Sequence, residues 1–244
     1  MLCLGIGAPE PERASLTPEP VALAPGDIHV WRASLDVTGA IFNRRLALLS
    51  EDELERAAAL RGDRQRTRFV AARGLLREVL ARYVSVAPAA LTFCYTVRGK
   101  PGIDGLPGRT GIQFNLSHSG DLAMCAVGRG RRIGIDVEAI RPGIPIHAIA
   151  RRFFSKAEAS ALLQHAGHDL VRAFFSCWTR KEALLKGRGD GLLHSDEPAE
   201  CESWSLATVP AGVGYHATLA VDGPVAALTC FDWAEEPPGD DRRA

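Results

Sequence analysis

Residues 112–138, IQFNLSHSGDLAMCAVGRGRRIGIDVE, constrain the fold more than any other stretch. Ile112, Phe114 and Leu116 alternate with Gln113, Asn115 and Ser117, the period of a strand with one buried face. Ser117-His118-Ser119-Gly120 reads as a polar turn that ends the run. Residues 122–127 form a short apolar run suited to a buried strand, and Gly128-Arg129-Gly130 reads as a hairpin turn. Beyond it, Ile133, Ile135 and Val137 point one way, and Gly134, Asp136 and Glu138 the other.

Two residues along a strand rise only about 7 Å, so Asp136 and Glu138 are close neighbours on one face. Like charges at that range raise each other's pKa unless a cation or a basic group lies between them. A hard divalent ion such as Mg²⁺ meets that need, because it takes oxygen ligands and bridges one or two carboxylates to phosphates. A solvated strand face carrying two acids is the plainer alternative, and a lone D-x-E does not separate the two.

Composition narrows the class. A chain of 244 residues admits one large domain or two small ones, and 46% apolar residues are ample for a core. The formal net charge is zero, so no global field draws the chain to nucleic acid or to an anionic membrane. Cys3, Cys94, Cys125, Cys177, Cys201 and Cys230 include no C-x-x-C pair, which predicts reduced, mostly buried thiols and no zinc site. The opening MLCLGIGAPEPE lacks the basic start and apolar segment of a secretory signal. No run reaches the roughly 18 apolar residues of a membrane span. The expectation is a cytoplasmic chain.

In chain order, Pro9, Pro11, Pro18, Pro20 and Pro25 mark residues 1–26 as a flexible tail, and residues 27–35 as the first strand. Ser50-Glu51-Asp52-Glu53 is a capping box that opens a helix to about Leu60. A longer helix over 63–84 buries Phe69, Ala72, Leu76, Val79 and Tyr83. Arg66, Arg73 and Arg77 share another of its faces, either a solvated arginine face or a polyphosphate-binding stripe. Residues 91–97 read as a strand, followed by the loop Arg98-Gly99-Lys100-Pro101-Gly102. Its glycines admit close backbone approach, and its lysine offers a point charge. Lysine is otherwise confined to Lys156, Lys181 and Lys186, which suggests that an ammonium is needed where it is kept.

Arg141-Pro142-Gly143 ends the strand after Glu138, and Ser155-Lys156-Ala157-Glu158 caps a short helix to about His165. Asp169 is the expected N-cap of a helix ending near Gly187, with Leu170, Phe174, Cys177, Trp178, Leu184 and Leu185 on one arc. Lys181 falls inside that arc, a costly place for an ammonium unless it is paired or directed into a cleft. Glu182 and Lys186 lie four apart on the arc's edge, which by itself asks for no more than a helix-stabilising pair. Residues 202–209, 214–221 and 225–233 read as a three-strand antiparallel meander with a turn at Asp222-Gly223, and 235–244 as a loose tail. The histidines other than His118 show no metal-ligand spacing and are expected to be structural or surface groups.

N-L-S-H-S-G, G-I-D-V-E, R-R-F-F-S-K-x-E and W-T-R-K-E-A-L-L-K, with G-K-P upstream, together resemble the Sfp-type 4′-phosphopantetheinyl transferases in order and spacing, over residues 61–193. The resemblance implies an α+β fold of two similar lobes related by a pseudo-twofold axis, with the active site in the cleft between them. It places the break near Gly130, giving lobes 27–129 and 130–234. It also implies a Mg²⁺-dependent enzyme, with Mn²⁺ the alternative ion, that moves the arm of coenzyme A to a serine of an apo carrier protein. Asp136, Glu138 and Glu182 match the family's metal ligands, Glu182 its proposed base, and Lys186 its lysine at the pyrophosphate. Ser117, His118, Arg73, Arg61 and the Gly99-Lys100-Pro101 loop match coenzyme A contacts. The family suggests a monomer. Read without the resemblance, the same residues also admit a Mg²⁺-dependent pyrophosphate hydrolase or a non-catalytic binding module.

Overall fold

The computed structural model describes residues 21–104, 111–189 and 203–235, together with the backbone of 12–14. The chain runs β1 (Glu12–Ala14), β2 (Asp27–Ser34), α1 (Gly39–Leu46), α2 (Glu51–Ala59), α3 (Asp63–Val84), β3 (Phe93–Tyr95), β4 (Pro101–Ile103), β5 (Ile112–Ser119), β6 (Leu122–Arg129), β7 (Ile133–Ala139), α4 (Ile146–Phe153), α5 (Lys156–Leu162), α6 (Gly167–Arg188), β8 (Trp204–Thr208), β9 (Tyr215–Asp222) and β10 (Ala227–Trp233). It is a mixed α/β protein. A five-stranded sheet has the order β1-β10-β2-β6-β5, a three-stranded sheet the order β7-β9-β8, and β3 and β4 form a small hairpin.

The two halves repeat one plan. In each, a strand leads to a 22-residue helix and then to a strand pair whose last member takes the middle of the sheet: β2-α3-β5-β6 gives β2-β6-β5, and β7-α6-β8-β9 gives β7-β9-β8. One face of the larger sheet, with Trp31, Ala33, Phe114, Ala123 and Cys125, packs on Ala72, Leu75, Leu76 and Val79 of α3. Its other face, with Ile28, Val30, Met124 and Cys230, meets Ile133, Ile135 and Val137 of the smaller sheet. The alternation read from β7 therefore buries its isoleucines and valine between the sheets and turns Gly134, Asp136 and Glu138 toward α6.

Several expectations are corrected. Ser117, His118 and Ser119 stay extended, in register with Met124, Ala123 and Leu122, so the turn falls one step later at Gly120, whose φ is +59°. Gly128-Arg129-Gly130 does not close a hairpin, because both edges of β6 are already taken by β2 and β5; β7 starts a separate sheet. The meander fails for the same reason. Both edges of β9 are held by β7 and β8, and β10 instead pairs in parallel with β2, back in the sheet of the first half.

Within the N-terminal 1–26 segment, Glu12–Ala14 forms an edge strand on β10 and Leu23 is buried, so the flexible-tail reading does not hold for them. Residues 1–11, 15–20 and 236–244 lie outside the described residues. The strand expected over 91–97 shortens to Phe93–Tyr95. Asp169 lies in the first turn of α6, not at its N-cap, which is Ala166. Lys181 sits 4.0 Å from Glu158 and over the Phe154 ring, which accounts for an ammonium on that arc. Among the described residues, no helix is long and apolar enough to cross a membrane.

Candidate active site

The two sheets meet at their edges. β5 and β7 are edge strands running parallel, and the first presents side chains to the second's backbone. Asn115 Oδ1 accepts from Ile135 N at 2.8 Å, Ser117 Oγ from Val137 N at 3.3 Å, and Ser119 Oγ from Ala139 N at 3.1 Å. Three alternate residues of β5 thus satisfy three alternate N–H groups that an exposed edge would leave unpaired. The polar alternation was legible, but not its use. It turns the reading of a half-solvated strand into a seam between two sheets.

Two of the three also orient carboxylates. Ser117 Oγ donates to Asp136 Oδ1 at 3.0 Å, and Ser119 Oγ donates to Glu138 Oε2 at 2.7 Å. α6 lies directly over this face. A Cβ on Gly134 would collide with Ala183 O and with Gly187 N and Cα, so helix and strand approach as closely as two backbones can. That approach brings Lys186 to 2.6 Å from Asp136 Oδ1 and 2.8 Å from Ser117 Oγ.

Electrostatics match the geometry. Asp136 is only 3% exposed, and burial raises its pKa despite the Lys186 ammonium beside it. Burial also raises Glu182, and the charges of Asp136 and Glu138 add to the effect. Asp136, Glu138 and Glu182 are thus close enough for their charges to act on one another. Asp136 Oδ2 and Glu182 Oε1 are buried with no hydrogen-bond partner. Such oxygens suit a hard divalent ion, so the donor set fits one. The three do not close on a point as they stand: among the described residues no group of three His, Cys, Asp or Glu side chains is gathered tightly enough to hold an ion, and Lys186 occupies one oxygen of Asp136.

The remaining predicted positions divide. His118 stands at the outer end of β5, its pKa held down by the surrounding protein and by Lys186 and Arg68. Arg61 is exposed between α2 and α3. Gly99, with φ +82°, makes the tight turn that joins β3 to β4, and Pro101 pairs with Tyr95. Lys100 turns inward, donating to Ile133 O at 3.0 Å and Gly187 O at 2.8 Å; burial, with a contribution from Arg132, lowers its pKa to about 8.

The arginine face of α3 is neither solvated nor an open stripe. Arg77 is fully buried, 2.7 Å from Glu53, and Arg73 pairs with the other oxygen of the same carboxylate and lies 2.5 Å from Tyr95 Oη. Burial opposes the charge of Glu53, and the two guanidiniums outweigh it and lower its pKa. Glu53 is also the far end of the α2 capping box, so a residue read as a cap is the hub that binds α2 to α3. Only Arg66 follows the solvated reading, paired with exposed Asp63.

Asp136 and Glu138 on β7, with Glu182 and Lys186 on α6, thus gather titratable side chains over one sheet edge. The profile of the 4′-phosphopantetheinyl transferase superfamily matches residues 132–220, and that of the 4′-phosphopantetheinyl transferase N-terminal region matches residues 31–129. The 4′-phosphopantetheinyl transferase HetI of Nostoc sp. is 38% identical over 218 residues, 84% of this chain and 92% of the relative. Sfp of Bacillus subtilis is 38% identical over 118 residues, 48% and 50% of the two chains. AcpT of Salmonella typhimurium is 35% identical over 114 residues, 46% and 56%. The chain belongs to the 4′-phosphopantetheinyl transferase family, and it is an enzyme of that class.

Proposed function

We propose that this enzyme transfers the 4′-phosphopantetheine arm of coenzyme A to a serine of an apo acyl or peptidyl carrier protein, releasing adenosine 3′,5′-bisphosphate. The observation that supports this most is the Lys186–Asp136 pair at 2.6 Å beside Glu182, with one buried, unpartnered oxygen on each acid. Asp136, Glu138 and Glu182 are the residues that would hold Mg²⁺, or Mn²⁺ in its place. The ion would offset charge on the pyrophosphate oxygens as the phosphoryl group moves.

The chain's own residues supply the rest. Lys186 carries a positive charge at the mouth of the Ser117–Asp136 pair, where a bridging phosphate oxygen would leave. Glu182, with its pKa raised above the usual carboxylate range, is a better proton acceptor for the carrier serine than an exposed glutamate. Ser117 and His118 form the wall beside Lys186, and Arg61 is an exposed cation just before α3. Arg73, Gly99, Lys100 and Pro101 are assigned to the coenzyme A side as well. Lys100 and Arg73 act there through the hairpin they brace, since each is engaged by protein partners.

The repeated strand–helix–strand–strand plan supports two lobes, 27–129 and 130–234, related by a pseudo-twofold axis, with β10 exchanged into the first. The enzyme is assigned to the cytoplasm as a monomer. Incubation with coenzyme A, Mg²⁺ and an apo carrier, followed by intact mass, tests the reading. A carrier that gains the arm supports it. Free phosphopantetheine beside an unchanged carrier supports a hydrolase instead, and no product supports a binding module.

A further inference from the structure

We propose that Ser119 is a positioning residue for the divalent cation, setting the orientation of Glu138 while it joins the two sheets. This rests on the cation reading of Asp136, Glu138 and Glu182 given above. The observation is a difference between rungs of one seam. Asn115 receives Ile135 N alone, whereas Ser119 receives Ala139 N at 3.1 Å and donates its own proton to Glu138 Oε2 at 2.7 Å.

The two bonds reinforce each other. A serine hydroxyl has one proton and two lone pairs. With one lone pair engaged by Ala139 N, the hydroxyl oxygen is fixed against β7, and its proton is aimed at the carboxylate of the preceding residue. Glu138 is only half-buried, and a glutamate there has three side-chain torsions to order. Asp136 needs less help, being short, buried and gripped by both Ser117 and Lys186. Ser119 is thus the group that keeps Glu138 turned toward the other acids, leaving its second oxygen for the ion. Loss of a group that orients a metal-binding side chain in this way typically costs about 10- to 100-fold in metal affinity.

The test is Mn²⁺ titration of the full chain without coenzyme A, followed by loss of the free-ion paramagnetic resonance signal, with melting temperatures and the KM for coenzyme A measured alongside. Ser119→Ala is expected to raise the Mn²⁺ dissociation constant about 10- to 100-fold while leaving the KM for coenzyme A, measured at saturating Mg²⁺, near wild type. Ser119→Thr, which keeps the hydroxyl, is expected to restore binding. Asn115→Ala breaks the seam without touching an acid, and is expected to lower the melting temperature with little effect on the Mn²⁺ constant. Wild-type Mn²⁺ binding by Ser119→Ala, or equal weakening by Asn115→Ala, overturns the proposal and leaves the cation site standing. A wild-type chain that takes up no Mn²⁺ overturns the cation site and this inference together.

Discussion

Replacing Gly134 with alanine adds one methyl group at the closest approach of α6 to β7. Its Cβ would fall 2.8 Å from Gly187 Cα and closer still to Gly187 N and Ala183 O, all backbone atoms that no rotamer change can move. Ordinary carbon contacts begin near 3.5 Å, so the helix must lift by about 1 Å as a unit. Overpacking of that kind costs about 1–3 kcal/mol. For a chain of this size, that predicts a melting temperature about 2–12 °C lower. Lys186 and Glu182 ride on the same turns of α6, so their distances to Asp136 change with the lift. A misplacement of about 1 Å in a reacting group can cost about 10²-fold in rate. Transfer measured by intact mass of the carrier should therefore fall by about two orders of magnitude at a temperature where the variant remains folded. Gly39→Ala is the control, since nothing lies within 4 Å of its Cβ and it opens α1; it should be neutral or slightly stabilising. A Gly134→Ala enzyme with wild-type rate and melting temperature would refute the claim that this contact sets the site.

Asp136→Asn should nearly abolish transfer while leaving the chain folded, and its stability should carry a pH signature. Because folding raises the Asp136 pKa, the native state holds its proton to higher pH than the unfolded chain does, so this group's effect on stability worsens as pH rises from about 4 toward neutrality. Without added divalent ion, the variant should thus gain melting temperature relative to wild type between pH 4 and 7, and a flat difference would count against the burial argument. Glu53→Ala leaves Arg73 and Arg77 without their shared carboxylate, a loss of about 3–5 kcal/mol; a thermal melt within 2 °C of wild type would show, on the scale of about 2–4 °C per kcal/mol, that the cluster is not structural. In native protein treated with a maleimide and mapped by peptide mass, exposed Cys94 should be modified, while buried Cys125 and Cys230, whose thiols are pushed up to about 12 and about 11, should not. Modification of Cys125 without unfolding would show that the larger sheet opens.

What the residue pattern alone determined was local. Capping boxes at Ser50 and Ser155, the strand periods of 112–116 and 133–138, and the 22-residue span of α3 depend on contacts within a few residues, and each appears where its signature lies. The acids and lysine of the site were legible as well, through the order of their motifs. Edge choice was not legible. Whether β7 continues from β6, and whether β10 follows β9, depends on which strand edges are already occupied, and that is a property of the assembled sheets. The same holds for side chains whose partners are distant in sequence. Glu53 reads as a cap until α3 brings Arg73 and Arg77 onto it, and Lys100 reads as an open loop charge until β7 and α6 present two carbonyls. Asn115 and Ser117 read as the polar face of a strand, and Ser119 as part of a turn, until another sheet's edge supplies the N–H groups they accept from. Burial decides each case, because a polar group removed from water must find its partner wherever the fold has put one.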